Sequence, residues 1–468
     1  MSRASESTGQ TRALLPLVSV LLVAVAGLEL LARFTGMRAV QDAAWITMLC
    51  AVILSARRLG AREYYLVAAS AAVTVLVILL RPDPEPILIG ALDQAVFLMS
   101  FILLLGLLQA TAKTSPSVAE LGAFLTRQPP GRRYAALSGG TALLGVLFNI
   151  GVVSFLVPLI QQGIHRAAPG DALNPIRERR QISALLRGFA WSVTWSPTAI
   201  APLIVADLLP GIERIVWMGY AFPVFMILMV AGWLEDRVRF RAFKPKGVLP
   251  VMAWPRTAAL RFAATTVWFL LLVLGFVWLF DESIVFGVLA ACPIMVIGWL
   301  VAQQGRAGVP SRLRQMIGTD LPASVNIAVT LATSGYIGRA AAGLTPAESV
   351  AEALGLATTP DWLMLVILPT LTALISLLAL SPTMMAVFLG SFFAALPVLP
   401  ADPTLIAFSI SCGWALSMTF SPFATLVLVV SRASGIPIST LTWRWNLLFT
   451  TFAAILLFPV FYLLTGGH

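Results

Sequence analysis

The segment Gly188-Phe-Ala-Trp-Ser-Val-Thr-Trp-Ser-Pro-Thr-Ala returns about 225 residues later as Gly413-Trp-Ala-Leu-Ser-Met-Thr-Phe-Ser-Pro-Phe-Ala. Gly, Ala, Ser, Thr, Ser, Pro and Ala keep their places, and both copies lie inside strongly apolar runs. Hydrocarbon offers no partner to a backbone N–H or C=O, so a chain crossing it must be helical or close into a β-barrel, and long continuous apolar runs select the helix. Any break must line a protein cavity or hold something polar. Each copy has such a break, because proline removes an N–H and clashes with the preceding turn. Paired breaks, one in each half of a membrane chain, are how secondary transporters build a substrate site near the bilayer midplane.

That argument requires a membrane chain, and composition supplies one. The 468 residues are 59% hydrophobic and 11% charged, against roughly 25% charged in soluble domains. Apolar windows of about 20 residues recur along the sequence and leave no room for a soluble catalytic domain. The net charge of +10 is concentrated at Arg57-Arg58, Arg132-Arg133, Arg177 to Arg180, Arg237 to Lys246 and Arg306 to Arg314. Such clusters between spans follow the positive-inside rule and do not indicate nucleic acid or an acidic partner. Cys50, Cys292 and Cys412 are far apart in apolar segments and read as small hydrophobes, not as a disulfide or metal site. His165, in a basic loop, and His468, the last residue, leave no histidine for intramembrane chemistry. The apolar run 13–32 is too long for a signal-peptide core and reads as a retained first helix.

The runs organise the chain into N-terminal helices (1–84), a first repeat (85–234), a basic linker (235–257), connecting helices (258–314) and a second repeat (315–468). Each repeat orders its elements alike: a plain span, a long run interrupted at its centre, a Ser-Pro-broken run and another plain span. The interrupted runs are 134–163 and 362–397, and the broken runs are 182–209 and 403–431. Thr141-Ala-Leu-Leu and Thr372-Ala-Leu-Ile match inside the interrupted runs. Four elements in one order at one offset constitute an internal repeat.

Charge sets the topology. With a cytoplasmic N-terminus, and each interrupted run taken as a re-entrant hairpin, the loops carrying Arg57, Arg58, Lys113, Arg132, Arg177, Arg180, Lys244, Lys246, Arg306, Arg312, Arg314 and Arg432 fall inside. Only Arg33, Arg38, Arg81, Arg214 and Arg339 fall outside. The opposite orientation scatters the charges. The fold class expected is therefore an all-α polytopic protein of the cytoplasmic (inner) membrane with two inverted repeats. Each repeat has a re-entrant hairpin and a broken helix.

The substrate-binding candidates lie at these breaks. Ser192, Thr194 and Ser196 precede Pro197, and Ser417, Thr419 and Ser421 precede Pro422. Asn149 and Gly151 mark the first hairpin tip, and Ser381 and Thr383 bracket Pro382 at the second. A helix that restarts after a proline presents N–H groups and a positive dipole end to an anion. The half that stops presents carbonyls suited to Na⁺, placing candidate Na⁺ positions near Asn149, Ser192, Ser381 and Ser417. The alternative for each break is a proline kink whose hydroxyls bond their own backbone. Glu29, Asp93 and Asp320 lie near span boundaries, and no carboxylate falls in a hairpin or Ser-Pro segment. That favours an anionic or neutral polar substrate over cation exchange on paired aspartates. Phe148, Trp191, Trp195, Trp414 and Phe420 flank the polar positions and read first as packing. Asn326 and Thr330 are expected to bond a neighbouring helix, and Arg187 to lie near the inner interface.

Leu147-Phe-Asn-Ile-Gly-Val-Val-Ser-Phe-Leu-Val-Pro and Ser192-Val-Thr-Trp-Ser-Pro-Thr-Ala, with Leu380-Ser-Pro-Thr-Met and Ser417-Met-Thr-Phe-Ser-Pro-Phe-Ala in the second half, resemble the hairpin tips and unwound helices of the ion transporter superfamily. That superfamily includes divalent anion/sodium symporters, arsenite permease-like carriers and C4-dicarboxylate carriers. Its tips read Ser-Asn-Thr, where this chain keeps Asn149 alone at the first tip and Ser-Pro-Thr at the second. The resemblance implies a scaffold, a moving transport domain, elevator-like alternating access and a homodimer. The functional expectation is a secondary carrier of a small organic or inorganic anion, coupled to Na⁺ or H⁺, with no other cofactor and no enzymatic activity. The other class considered is a non-transporting membrane protein, either an envelope-lipid enzyme or an accessory subunit of a larger complex. The missing intramembrane histidines and clustered carboxylates argue against the enzyme.

Overall fold

The computed structural model describes residues 2–167, 169–243 and 252–467. Lys244 and Lys246 of the basic linker, and His468, lie outside them. In chain order the helices are α1 (Ser2–Thr35), α2 (Arg38–Ser55), α3 (Ala61–Leu80), α4 (Glu85–Lys113), α5 (Pro116–Thr126), α6 (Pro130–Phe148), α7 (Gly151–Ala167), α8 (Asn174–Ser192), α9 (Ile200–Leu208), α10 (Arg214–Arg239), α11 (Arg256–Phe280), α12 (Ile284–Gln315), α13 (Leu321–Ala323), α14 (Val325–Leu344), α15 (Ala347–Ala353), α16 (Asp361–Ile375), α17 (Pro382–Ala394), α18 (Pro403–Phe420), α19 (Thr425–Ser434) and α20 (Leu447–Leu464). There is no strand among the described residues. Ten helical segments there are long and apolar enough to cross a membrane, which defines an all-α, polytopic fold. Helix starts follow local chemistry. Asp402 accepts from the Thr404 and Leu405 N–H groups at the head of α18, where Pro403 takes the first helical position.

The chain forms two compact units. The first runs to Ser115 and adds Val267–Thr345. Here α4 packs against α1, α12 and α14, and α14 also packs on α3. Glycines allow the closest approach: a Cβ on Gly343 would meet Ile87, and one on Gly335 would press on Leu98 and Gln94. This unit holds Glu29 and Asp93. Gln41 donates through one amide nitrogen to both, at 3.2 and 3.0 Å. Arg33 pairs with Glu29 at 2.7 Å, and the Trp45 indole donates to Asp93 at 3.0 Å. Thr330 of α14 donates to Glu63 of α3 at 3.2 Å.

The second unit comprises Pro116–Thr266 and the chain from Pro346 onward. Both helix pairs around the expected tips, α6–α7 and α16–α17, lie in it, as do both Ser-Pro segments. Within it α6 packs on α8 and α16 on α18, and α18 also meets α8. Two further contacts cross between the halves: α17 lies on α9, and α19 on α7. A Cβ on Gly390 of α17 would approach Leu208 of α9 to 3.3 Å, so the close fit there depends on glycine.

Candidate functional site

Each Ser-Pro segment interrupts a helix. The first break separates α8 from α9 across residues 193–199, and the second separates α18 from α19 across residues 421–424. The turns agree bond for bond. Ser196 N–H donates to the Ser192 carbonyl and Ser421 N–H to the Ser417 carbonyl, both at 2.9 Å. Ala199 N–H donates to the Ser196 carbonyl and Ala424 N–H to the Ser421 carbonyl, both at 3.2 Å. Ala199 and Ala424 are the N-caps of the restarting helices, and neither helix has a side-chain cap. Alanine is among the poorest N-caps because it offers no acceptor to the first-turn N–H groups. Both caps are buried. A buried helix start without partners is a place where a ligand can bind.

The helix pairs supply the other two interruptions. Between α6 and α7 the chain turns at Asn149, which has φ of 47° and accepts through Oδ1 from the Ile150 N–H at 2.8 Å. Gly151 then opens α7 and is buried. Between α16 and α17 the turn comes at Ala379, with φ of 63°. Ser381 caps α17 by accepting from Met384 N–H at 3.1 Å, and Pro382 takes the first helical position, where its missing N–H costs nothing. Thr383 follows, buried. The Asn149, Ser192, Ser381 and Ser417 carbonyls each accept at least one N–H, from Val152, Ser196, Met385 and Ser421 in turn.

Each break is also tied to the neighbouring helix pair. Thr198 donates to the carbonyl of Val146, three residues before Asn149. Ser421 donates to the carbonyl of Ser376 at 2.8 Å, three residues before Ala379. Glycine makes the approach feasible one turn or more away. A Cβ on Gly188 would lie 2.6 Å from Ser138 Cα, and one on Gly413 would lie 3.0 Å from Pro369 Cα.

The remaining hydroxyls are committed locally. Ser192 donates to the Phe189 carbonyl and Thr194 to that of Trp191, both at 2.8 Å. Ser417 donates to the Gly413 carbonyl at 2.7 Å, and Thr419 to that of Leu416 at 3.2 Å, with Thr450 also at 2.8 Å. A hydroxyl that has given its hydrogen to the backbone can still accept but no longer donates. Ser196 alone among the six has no carbonyl partner among the described residues, and its oxygen lies 3.4 Å from that of Thr198. The donors left near the breaks are backbone N–H groups and the buried indole N–H groups of Trp191, Trp195 and Trp414, which have no partner among the described residues. Trp195 also meets Phe222 and Phe225 of α10 at ring distances of 5.3 and 5.6 Å.

Arg187 is 3% exposed and fully engaged. It pairs with Glu235 at 2.7 Å, donates to Asn446 Oδ1 at 2.8 Å and to the Trp445 carbonyl at 3.2 Å, and lies over the Phe449 ring. It joins α8 to α10 and the start of α20, so its charge is spent on structure. Among the described residues no group of three or more His, Cys, Asp or Glu converges as a metal site would require.

These features describe a polytopic, all-helical membrane fold in which four helix interruptions are gathered into one compact unit. Among solved structures it is similar to the crystal structure of the YdaH transporter of Alcanivorax borkumensis, which has been described as having an unusual topology. The TM-score is 0.56 at 14% identity, over 87% of this chain and 98% of that one. MtrF of Neisseria gonorrhoeae, from a class of antimetabolite efflux pumps, aligns with a TM-score of 0.47 at 12% identity over 86% of this chain and 94% of that one. No family model matches the chain, and no curated protein matches it in sequence. The expected membership of the ion transporter superfamily is therefore corrected: the structural likeness falls on YdaH, not on the symporters and permeases named above. The residues that carried the resemblance, a tip Asn-x-Gly and two Ser-Pro breaks, are of the kinds that favour an interruption in any apolar helix. They specify how a break is built and do not specify a lineage.

Proposed function

We propose that the chain is a secondary active transporter for a small anion, an organic acid or an oxyanion, coupled to Na⁺ or H⁺. The observation that carries this reading is the pair of helix starts behind the prolines, whose N-cap residues Ala199 and Ala424 are buried and give no side-chain cap. Their N–H groups and dipole ends favour negative charge, and the unpartnered indoles of Trp191, Trp195 and Trp414 add donors without acceptors. The carbonyls of Asn149, Ser192, Ser381 and Ser417 keep lone pairs for a coupling Na⁺. Likeness in fold to a transporter is consistent with this reading.

The two halves act as inverted repeats. Support comes from the matched turns, the matched ties to the hairpins and the crosswise packing of α17 on α9 and α19 on α7. In this reading α6–α7 and α16–α17 are re-entrant hairpins gating opposite faces. The second unit moves as an elevator in the inner membrane, with a cytoplasmic N-terminus and a homodimeric assembly.

Proteoliposome uptake across a panel of carboxylates and oxyanions, under imposed Na⁺ and pH gradients, tests the activity. Ala199→Ser and Ala424→Ser test the site, because each serine supplies the acceptor that a bound anion would otherwise provide. Each variant should raise stability by about 0.5–1 kcal/mol and lower uptake. A variant that is stabilised yet transports normally removes the helix starts from the site. Failure of every anion to accumulate under every gradient removes the transport reading.

A further inference from the structure

Arginines collect where the second unit's helices begin and end. Arg133 is in the first turn of α6, Arg177, Arg179 and Arg180 are in the first turns of α8, Arg239 is in the last turn of α10, and Arg444 stands just before α20. The nearby carboxylates are already taken. Asp236 holds Arg180 at 2.6 Å, Asp171 holds Arg177 at 2.8 Å, and Glu235 is shared between Arg187 at 2.7 Å and Arg239 at 3.0 Å. Glu178 accepts from Gln161. Arg133, Arg179 and Arg444 form no ion pair among the described residues. Arg133 donates to the Gln128 carbonyl at 2.8 Å, and Arg179 to the Arg444 carbonyl at 3.4 Å. The Phe240 ring lies 5.7 Å from the Arg179 guanidinium and 5.3 Å from that of Arg180.

Positive charge at helix ends follows from topology, but gathering it partly buried and short of carboxylates is costly. Burial, then Arg180 and Arg177, lower Arg133 to about 10. Burial and then Arg239 also lower Arg179. The same region carries exposed apolar surface: Val238 is 67% exposed and Trp443 47%, and the Arg237 guanidinium lies 4.5 Å from the Trp233 ring. Guanidinium groups beside exposed aromatic and aliphatic side chains, at the end of one membrane-length helix and the start of another, match an amphipathic ligand that carries phosphate at one end and hydrocarbon at the other.

We propose that Arg179, Arg239 and Arg444, with the Phe240 ring beside Arg179, bind the phosphate headgroup of an anionic phospholipid, whose acyl chains cover Val238 and Trp443. In the orientation proposed above this face is cytoplasmic. The lipid site stands without the transport reading, since it is measured by binding and not by uptake.

The test is thermal unfolding of the purified full-length protein in detergent, with added phosphatidylglycerol, phosphatidylcholine or inorganic phosphate, together with native mass spectrometry of retained lipid. Phosphatidylglycerol should raise the unfolding temperature and remain bound, while phosphatidylcholine and phosphate should do neither. The double variant Arg179→Gln/Arg444→Gln should bind phosphatidylglycerol about tenfold more weakly or worse. Arg57→Gln/Arg58→Gln, in the first unit, should bind it as the parent does. An equal shift from phosphate would make this a soluble-anion site and overturn the proposal. So would equal loss in the Arg57/Arg58 variant, which would mean undirected charge. If the Arg179/Arg444 variant does not fold, the headgroup comparison on the unaltered protein decides, and indifference between the two lipids refutes the site.

Discussion

The two helix breaks share a turn but differ in which side chain secures it. At the second break Ser421, immediately before the proline, donates to Ser376 and accepts from the Phe423 N–H at 3.2 Å, and only residues 421–424 leave the helix. At the first break the same duty falls to Thr198, after the proline, and the interruption extends over 193–199. Ser196, the sequence counterpart of Ser421, is left without a carbonyl partner among the described residues. Equivalent positions in a repeat therefore need not have equivalent roles. One serine ties its break to the neighbouring helix pair, while the other reaches only the Thr198 hydroxyl at the longer break.

The largest effect should come from a contact found beside the first break alone. Arg187 is buried in an ionic network, whereas the matching position in the second segment is Cys412, a buried thiol. Arg187→Ala leaves Glu235 without one of its partners and should cost about 3–5 kcal/mol, read as a fall in the unfolding temperature of the detergent-solubilised protein. Cys412→Ala should cost far less, and equal losses would make the network incidental. Next come the two glycines. Gly188→Ala forces a Cβ against the backbone of Ser138 and should cost about 1–3 kcal/mol. Gly413→Ala should cost less, because part of its encounter is with the Thr372 side chain at 2.8 Å. Equal costs would show that the two helix pairs are packed alike. The smallest effect on stability separates the serines themselves. Ser421→Ala should lose about 1–2 kcal/mol as the Ser376 tie disappears. Ser196→Ala should leave stability nearly unchanged while reducing uptake. A Ser421→Ala protein as stable as its parent would undo the distinction.

Much of this was legible in the sequence where local chemistry decides. Proline in an apolar run has few outcomes, so both breaks could be placed from composition and spacing. The Asn149 turn could be placed for the same reason. The second turn was harder to locate, because Ser381-Pro382 reads as a break whereas the chain turns at Ala379 and then uses Ser381 and Pro382 to begin α17. A Ser-Pro pair that caps a helix looks the same in sequence as one that ends a helix. Ala199 and Ala424 were visible as matched letters, but their meaning depends on where the helices restart. The ties from Thr198 to Val146 and from Ser421 to Ser376, and the convergence of Arg187, Glu235 and Asn446, depend on distant segments meeting, and no local pattern records them. The resemblance to a named superfamily misled because it rested on letters that the physics of an interrupted helix selects in any lineage.

The crosswise packing of α17 on α9 and α19 on α7 has a consequence for how the protein is made. When α9 leaves the ribosome, the surface that will cover it has not been translated, and the same is true of α7, which waits for α19. The first half must therefore remain in the bilayer with its interruption only partly housed until nearly the whole chain has been inserted. Contacts this distant in sequence form late and slowly, and half-made membrane segments are prone to wrong partners. A chain truncated after α10 should be a poor membrane resident, recognised and degraded, even though it carries an entire copy of the repeated segment.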